Sequence, residues 1–424
     1  MPPSVIGEGP DEVRIILGDK QTFVVEQYEI TQGVLTQPAA FAVTLGHGLL
    51  TRDLMQQALP GTPFELLVGG RRQFKGSIDG WVANDGGSGT SLAVRGRDAM
   101  APLVDAFVRS EKSYEELTYA EFTTQVLKDA LGDRPFELIY SNAANRKTIT
   151  GSNTSGSVTG ERASAAKKSV HAKLGERYYD GLLKPELDRA GLFLWASADG
   201  IFILTEPDTK QPPTYKIKRR RGITIDDASR GESEVISASF TNDASRRYAG
   251  CIVHGRKGGG EESRARIEGK FPDAEMARMG FDKFLVFADD QVKTIKQAEY
   301  LAQRKIAEAR REAWKLEYTV AGHTTNAIDG GKPVVWAPDT VVDIEDDEFG
   351  ITGRYYLENV TKRRGPEATT VLRFMRLDDV VFGEEPPAGN ATAASANVSG
   401  RSGATVVTSY PFANLFKVTF PEAS

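Results

Sequence analysis

A chain of 424 residues, 40% hydrophobic and 26% charged, has the make-up of a globular protein and is long enough for about two to four domains. Its 53 Lys and Arg against 58 Asp and Glu leave a net charge of −5, which gives no support to nucleic acid as the main partner. No run approaches the roughly 18 apolar residues a membrane span needs, and the single cysteine, Cys251, excludes disulfides within the chain and cysteine-based zinc clusters.

One cysteine also fits folding in a reducing cytoplasm. The opening MPPSVIGEGPDEVRI has no basic start followed by an apolar core, so no secretory signal is expected. Residues 11–98 read as β: DEVRIILGDKQTFVVEQYEITQG alternates, and FELLVGGRRQFKGSIDGWVANDGGSGTSLAVRG gives three short strands between Gly-rich turns. Residues 1–98 are therefore expected to form a first antiparallel β-barrel. In SLAVRGRDAMAPLVDAF the strand pattern stops at Arg95, Gly96, Arg97 and Asp98 and a helical pattern begins.

Residues 99–223 are expected to be helical or α+β. Thr118 and Glu121 have the spacing of a capping box, with Leu117 and Phe122 placed as a hydrophobic staple. Phe122, Val126, Leu127, Ala130 and Leu131 follow at helical spacing, and Gly132 supplies the stop. FELIY predicts a strand, and residues 141–160, small and polar, a loop. A helical stretch to about Ala190, interrupted near Gly181 and Pro185, leads into the hairpin LFLWAS, ADG, IFILTEP.

From about Thr224 the chain returns to β, with strands in EVISASFTN and YAGCIVHG and a loop at RKGGGEESR. Ile295, Ala298, Leu301, Ala302, Ile306 and Ala309 form one stripe, predicting a helix over 291–313 that runs into a strand at Leu316. Residues 224–382 are expected to be a second β-barrel containing that helix. Residues 383–424 read as a linker and a terminal strand pair in ATVVTSYPFANLFKVTF. The expected fold is α+β and mainly β: two similar antiparallel β-barrel domains with smaller α+β domains between them.

The two β regions look like copies of one module. Pro60, Thr62, Val82 and Arg95 recur as Pro338, Thr340, Val360 and Arg373 at a common offset, and Gly76 matches Gly353 one residue short of it. In a trimer, two modules per chain would place six around one axis, so that three chains imitate a hexamer.

No catalytic residue, cofactor or metal site is expected. His47, His171, His254 and His323 lie far apart without metal-ligand spacing and read as surface or turn histidines. A nucleophile elbow needs a serine between its glycines, whereas Gly96 is followed by Arg97 and Asp98. Arg95, Gly96, Arg97 and Asp98 are therefore read as a structural joint, with Asp98 capping the helix that follows and Arg95 or Arg97 pairing with it. The acidic run from Asp343 to Glu348 reads as a solvated turn. Cys251 reads as an inert, partly buried thiol on a strand.

The basic run Lys216, Lys218, Arg219, Arg220 and Arg221 is a candidate contact for a polyanion or a partner, against the alternative of an edge strand protected by charge. The glycine-rich RKGGG lacks the order of a phosphate-binding loop. At the end of the chain, Tyr410, Phe412, Leu415, Phe416 and Phe420 mark a candidate docking tail. The linker of about 20 residues gives it a reach of about 25 Å, enough to add a strand to a neighbour's sheet.

LAVRGRDAMAPLVDAF, the hairpin GLFLWASADGIFILTEP, DASRRYAGCIVHGRKGGG, and the run from WKLEYTVAGH through VVWAPDTVVDIEDDEFGITGRYYLENV to LRFMRLDDV occur in an order that resembles the baseplate hub proteins of Mu-like contractile phage tails, the late control or tail protein family. The resemblance implies a homotrimer with two tube-like β domains per chain. Such a ring matches the hexameric tail tube protein on one side, holds a trimeric central spike protein on the other, touches other baseplate proteins and lets tape-measure protein and DNA pass. It further implies a structural, non-enzymatic virion component of the tail baseplate, assembled in the host bacterial cytoplasm, with no membrane span. Alternatives are the equivalent hub of a phage-derived contractile injection or secretion machine, and a tail-tip cell-wall hydrolase.

Overall fold

The computed structural model describes residues 9, 11–18, 21–25, 27–35, 37–45, 55–56, 58–86, 89–115, 117–141, 143–144, 169–220, 235–256, 266–289, 292, 294–326, 333–383, 404–407 and 415–420. The first β region holds β1 (Val13–Leu17), β2 (Gln21–Val24), β3 (Gln27–Gly33), β4 (Ala40–Leu45), β5 (Pro63–Val68), β6 (Arg71–Gly86) and β7 (Gly89–Asp98). Period-two patterning sets the faces: in β1, Val13, Ile15 and Leu17 are buried and the residues between them are half-exposed.

An α+β block follows: α1 (Ala101–Asp105), β8 (Lys112–Glu115), α2 (Tyr119–Leu131), β9 (Phe136–Ser141), β10 (Ser169–Ala172), a π-helical turn (Tyr178–Leu183), α3 (Lys184–Ala190), β11 (Phe193–Ala196), β12 (Phe202–Thr205) and β13 (Tyr215–Arg219). The capping box is present as expected: Thr118 accepts from the Glu121 N–H at 3.2 Å, and Glu121 accepts from the Thr118 N–H at 3.0 Å. Gly132 ends α2. The predicted helix interruption is the step from the π turn to α3, with Pro185 in the first turn of α3.

The second β region comprises β14 (Val235–Asn242), β15 (Gly250–Arg256), β16 (Arg266–Pro272), α4 (Ala274–Arg278), β17 (Phe284–Ala288), α5 (Ile295–Ala313), β18 (Trp314–Ala321), β19 (Thr324–Thr325), β20 (Val334–Val335), β21 (Thr340–Asp346), β22 (Ile351–Arg364) and β23 (Ala368–Arg376). Two strands end the chain, β24 (Ala404–Val407) and β25 (Leu415–Phe420). A second capping box, Thr294 with Gln297, starts α5.

The mainly β character is as expected; two separate closed barrels are not found among the described residues. Among the described residues β1–β7 of the first region and β14, β18 and β21–β23 of the second share, with β13, one 13-stranded sheet, while β15–β17 and β19–β20 form separate small sheets. The path of the large sheet runs β14-β18-β23-β22-β3-β4-β7-β6-β5-β1-β2, with β21 and β13 branching from β22. The physical reason is the junction of β22 with β3, where Asn359 to Arg364 pair antiparallel with Gly33 to Tyr28 and fuse the two regions edge to edge.

Each region still curls over its own core. Phe41 on β4 and Phe64 on β5 lie three strands apart in the path, about 14 Å in a flat sheet, yet their ring centroids are 4.6 Å apart. In the second region the hydroxyl of Tyr318 on β18 reaches the Asp346 carboxylate at the end of β21, at 2.7 Å. Ile15, Ile30, Phe41, Leu66 and Val94 belong to the first core, and Leu316, Tyr318, Ile344, Val360 and Phe374 to the second.

The duplication is visible in backbone detail. Residues Pro60-Gly61-Thr62 and Pro338-Asp339-Thr340 make the same turn, with positive φ at Gly61 (89°) and Asp339 (60°). The Gly61 N–H donates to the Ile78 carbonyl at 2.8 Å, and that of Asp339 to the Leu357 carbonyl at 3.0 Å. Both long hairpins then slip register at the next residue, between Ile78 and Gly80 and between Leu357 and Asn359. Aligned on that bulge, Arg95 matches Arg373 as the sequence suggested, but Val360 matches Trp81 rather than Val82, and Gly76 matches Tyr355 rather than Gly353.

The C-terminal strands lie within their own chain. Leu415 to Phe420 of β25 pair antiparallel with Ser141 to Phe136 of β9, completing a sheet ordered β11-β12-β9-β25-β24. The expected docking of this strand on a neighbour is thus met by an edge of the same chain. Leu415, Phe416 and Phe420 are on β25, whereas Tyr410 and Phe412 lie outside the described residues, as do Arg221 and nearly all of the loop 141–160.

Candidate functional site

At the end of β7, Asp98 is 1% exposed and ties three segments together. Its carboxylate accepts from the Ala39 N–H at 3.1 Å and the Met100 N–H at 2.9 Å, while its own N–H donates to the Ala39 carbonyl at 3.0 Å. Met100 is the residue before α1, so Asp98 clamps the approach to the helix and does not cap its first turn as expected. Burial pushes the carboxyl up to about 7, opposed by those two N–H donors and by Arg97.

Arg97 turns away from Asp98. Its guanidinium binds Asp79 on β6 (2.7 and 2.8 Å) and Asp105 of α1 (3.0 and 2.6 Å), a two-sided fork between the sheet and the helix. Those bonds, first to Asp79 and then to Asp105, raise its pKa beyond the ordinary range. Gly96 is buried, and a Cβ there would crowd the Phe41 ring and the Ser77 carbonyl. Arg95 is exposed on the outer face of β7. Gly96, Arg97 and Asp98 therefore meet where β7, β6 and α1 join, while Arg95 points outward from that junction.

The basic run lies on an edge strand beside the acidic run. β13 pairs in parallel with β21, placing Lys216 by Asp343, Lys218 by Glu345 and Arg219 by Asp346. Lys216 binds Glu345 at 2.6 Å, Arg220 binds Asp347 at 3.1 Å, and Arg219 reaches Asp346 at 3.4 Å. The Lys216 bond holds the Glu345 carboxyl below its usual range. Residues Asp343 to Asp346 are thus strand rather than turn, because Ile344 and Asp346 alternate into the core. Asp346 is 1% exposed and also accepts from the N–H groups of Glu348 and Phe349.

The three described histidines do not converge. His171 is the exposed residue of β10, with its two ring nitrogens each 2.7 Å from a serine hydroxyl, Ser113 and Ser169. Both nitrogens are occupied by serines, so the contact lacks the carboxylate that orients a catalytic imidazole. His254 faces Glu268 on the neighbouring strand at 3.5 Å. His323 does follow β18 in a turn, but it is fully buried rather than on the surface. His47 is outside the described residues. Cys251 is buried on β15, and burial raises its thiol to about 11. Among the described residues no group of three His, Cys, Asp or Glu is arranged to hold a metal, and no helix is long and apolar enough to cross a membrane.

Three features escaped the sequence reading. Arg247 and Asp273, both nearly fully buried, pair at 2.8 Å, and Arg310 from α5 joins at 2.9 Å, pinning the β15-β16-β17 sheet to the helix. Burial alone would raise the Asp273 carboxyl, but Arg310 and Arg247 outweigh it and hold it well below the carboxylate range. Next, Met279 and Phe281 ahead of β17 and Phe284, Val286 and Phe287 on it are exposed apolar side chains beside an edge strand. Last, among the described residues β14 pairs on one side only, and β6 beyond its bulge pairs only with β7. Charged runs and periodicity report faces, whereas open edges appear only once pairing is known.

No protein-family model matches the chain, and no curated protein does. Solved structures do. The 43 kDa tail protein of prophage MuSo2 from Shewanella oneidensis superposes with a TM-score of 0.65 at 18% identity, covering 88% of this chain and 100% of that one. A tail protein from Neisseria meningitidis MC58 gives 0.66 at 17% identity, over 88% of this chain and 99% of its own. An E. coli component of the type VI secretion system, itself structurally similar to the T4 bacteriophage tail proteins gp27 and gp5, gives 0.50 at 10% identity, over 88% and 79%. The chain thus has a phage-tail-protein fold. At these identities the likeness is one of fold, extending over nearly the whole length of the two tail proteins.

Proposed function

We propose that this chain is the structural baseplate hub of a contractile phage tail: a homotrimer whose six β modules form a ring that joins the hexameric tail tube to the trimeric central spike and lines the channel. The observation that carries this reading is the duplication, with matched turns at Gly61 and Asp339 and matched bulges after Ile78 and Leu357 in two modules already joined edge to edge. Three chains of this kind supply six near-equivalent modules, which is what a contact between six-fold and three-fold partners requires. The role is geometric and non-enzymatic, with Arg95–Asp98 as a structural joint, and its place is the virion baseplate after assembly in the bacterial cytoplasm.

The α+β block of residues 99–223 and the β15-to-α5 segment then serve as flanking domains, and the apolar strip on β17 as a contact for another baseplate chain. A second reading, the hub of a contractile injection or secretion machine, is favoured by the likeness to the secretion-system component. Co-expression with a contractile tail's tube and spike proteins tests the reading. Recovery of one complex holding all three supports it, and failure of both to bind contradicts it.

A further inference from the structure

The β3–β22 junction inside the chain has a counterpart that is left open. Aligned on their bulges, the two long hairpins make Gly80, Trp81, Val82 and Ala83 of β6 equivalent to Asn359, Val360, Thr361 and Lys362 of β22. Followed through β4 and β18, the same alignment makes Thr31, Ile30 and Glu29 of β3 equivalent to Thr241, Phe240 and Ser239 of β14. On β22 this stretch is covered by β3, and Val360 and Lys362 are 0% and Thr361 8% exposed. On β6 the equivalent stretch has, among the described residues, no strand on that side, and Val82 is 47% exposed. On β14, Phe240 is half-exposed where its counterpart Ile30 is fully buried.

One chain therefore carries a vacant acceptor edge and a vacant donor edge, each the twin of an edge satisfied elsewhere in the same molecule. We propose that β14 of one copy pairs antiparallel with β6 of the next in the register of β3 on β22. Thr241 then lies opposite Val82, Phe240 opposite Ala83, and Asn242 opposite Trp81. The occupant is a second copy of this chain because both partners of the template junction are in it. Two unlike edges make a head-to-tail contact, which closes into a ring when the rotation per copy allows and otherwise runs on as an open filament. The pairing also removes two exposed strand edges that would otherwise invite aggregation. It deepens the trimeric reading above and depends on that reading only for the number of copies.

The test is a double-cysteine variant, Val82→Cys with Thr241→Cys. In the template junction the hydroxyl oxygens of Thr31 and Thr361 approach to 3.4 Å, so facing cysteines are within disulfide reach. Among the described residues no pairing joins β6 to β14 within one chain, and a bond within one chain would leave a single-chain band and no ladder. Cys251 is buried and does not compete. Ala83→Cys with Thr241→Cys, one residue out of register and on the opposite face, is the control. Both pairs are oxidised in the chain alone and in tail complexes, with solution mass measured alongside and melting of the reduced variants compared with wild type.

The expected result is a ladder on non-reducing gels that ends at three chains for the first pair and is absent for the control. A ladder running past three upholds the pairing and contradicts the trimer. A trimeric mass with no Val82–Thr241 link overturns the pairing while the trimer stands. No link in either preparation, with native melting, overturns the pairing.

Discussion

Tyr28 and His323 meet at 2.5 Å between the Tyr28 hydroxyl and the imidazole Nε2, across the junction of the two β regions. The chemistry around them fixes the tautomer. Thr370 donates its hydroxyl to the Gly322 carbonyl at 2.6 Å, so at 2.8 Å from His323 Nδ1 it accepts. Nδ1 therefore carries the proton, and Nε2 accepts from Tyr28. The ring is neutral and fully used. With the His323 N–H donating to Asp11 at 2.6 Å, this contact joins the start of the chain to the second region.

A stability change with pH follows. Burial, helped by the charges of Lys362 and Arg364, pushes His323 down to about 3 from its ordinary 6.5. Between those values the unfolded chain takes up a proton that the folded chain refuses. The contribution is therefore complete above about pH 6.5 and is lost as pH falls toward 3, at about 1.4 kcal/mol per pH unit. Urea unfolding of wild type and His323→Gln at pH 7.5 and 5.0 should show wild type losing about 2 kcal/mol more than the variant. Equal losses would sink this assignment.

Removing the Asp98 carboxylate leaves two backbone N–H groups, of Ala39 and Met100, without their acceptor in the interior. Each orphaned donor costs about 1–3 kcal/mol. Asp98→Ala should lower stability by about 2–5 kcal/mol, more than an ordinary helix cap. A loss under about 1 kcal/mol in denaturant titration contradicts the clamp.

Lys216, Arg219 and Arg220 each face a carboxylate. A basic strand so neutralised has few free charges to release counterions from a phosphate backbone. Duplex DNA should bind the chain only weakly at physiological salt, and replacing Lys216, Lys218 and Arg220 by Ala should leave that binding unchanged in a filter or anisotropy assay. A marked loss of affinity in the triple variant would restore the polyanion role.

Deleting residues 404–424 removes the strand paired with Phe136–Ser141. Hydrogen exchange should rise in those six residues, while β7 and β23 stay protected. Unchanged protection of residues 136–141 would mean that β25 does not hold that edge.

Local signals were readable from residues alone. The Thr118–Glu121 box, the stripe from Ile295 to Ala309 and the hairpin around ADG each depend on neighbours within a few positions, where spacing and chemistry act directly. The repeat was legible too, except that a one-residue bulge after Ile78 and Leu357 displaced its middle identities. What stayed hidden is set by distant partners. Asp346 looked like part of a solvated turn until β21 turned it inward, and nothing beside Arg247 in the sequence announces its burial with Asp273 and Arg310. The fusion of two expected barrels through β3 and β22 depends on pairing across more than 300 residues, which no local pattern encodes.

The ring itself is the central claim, and electron microscopy of the purified chain at micromolar concentration, alone and with its spike, tests it most directly. The account predicts a three-fold particle with a central hole and six lobes. A particle with a single module per repeat, or a compact monomer even with the spike present, would contradict it.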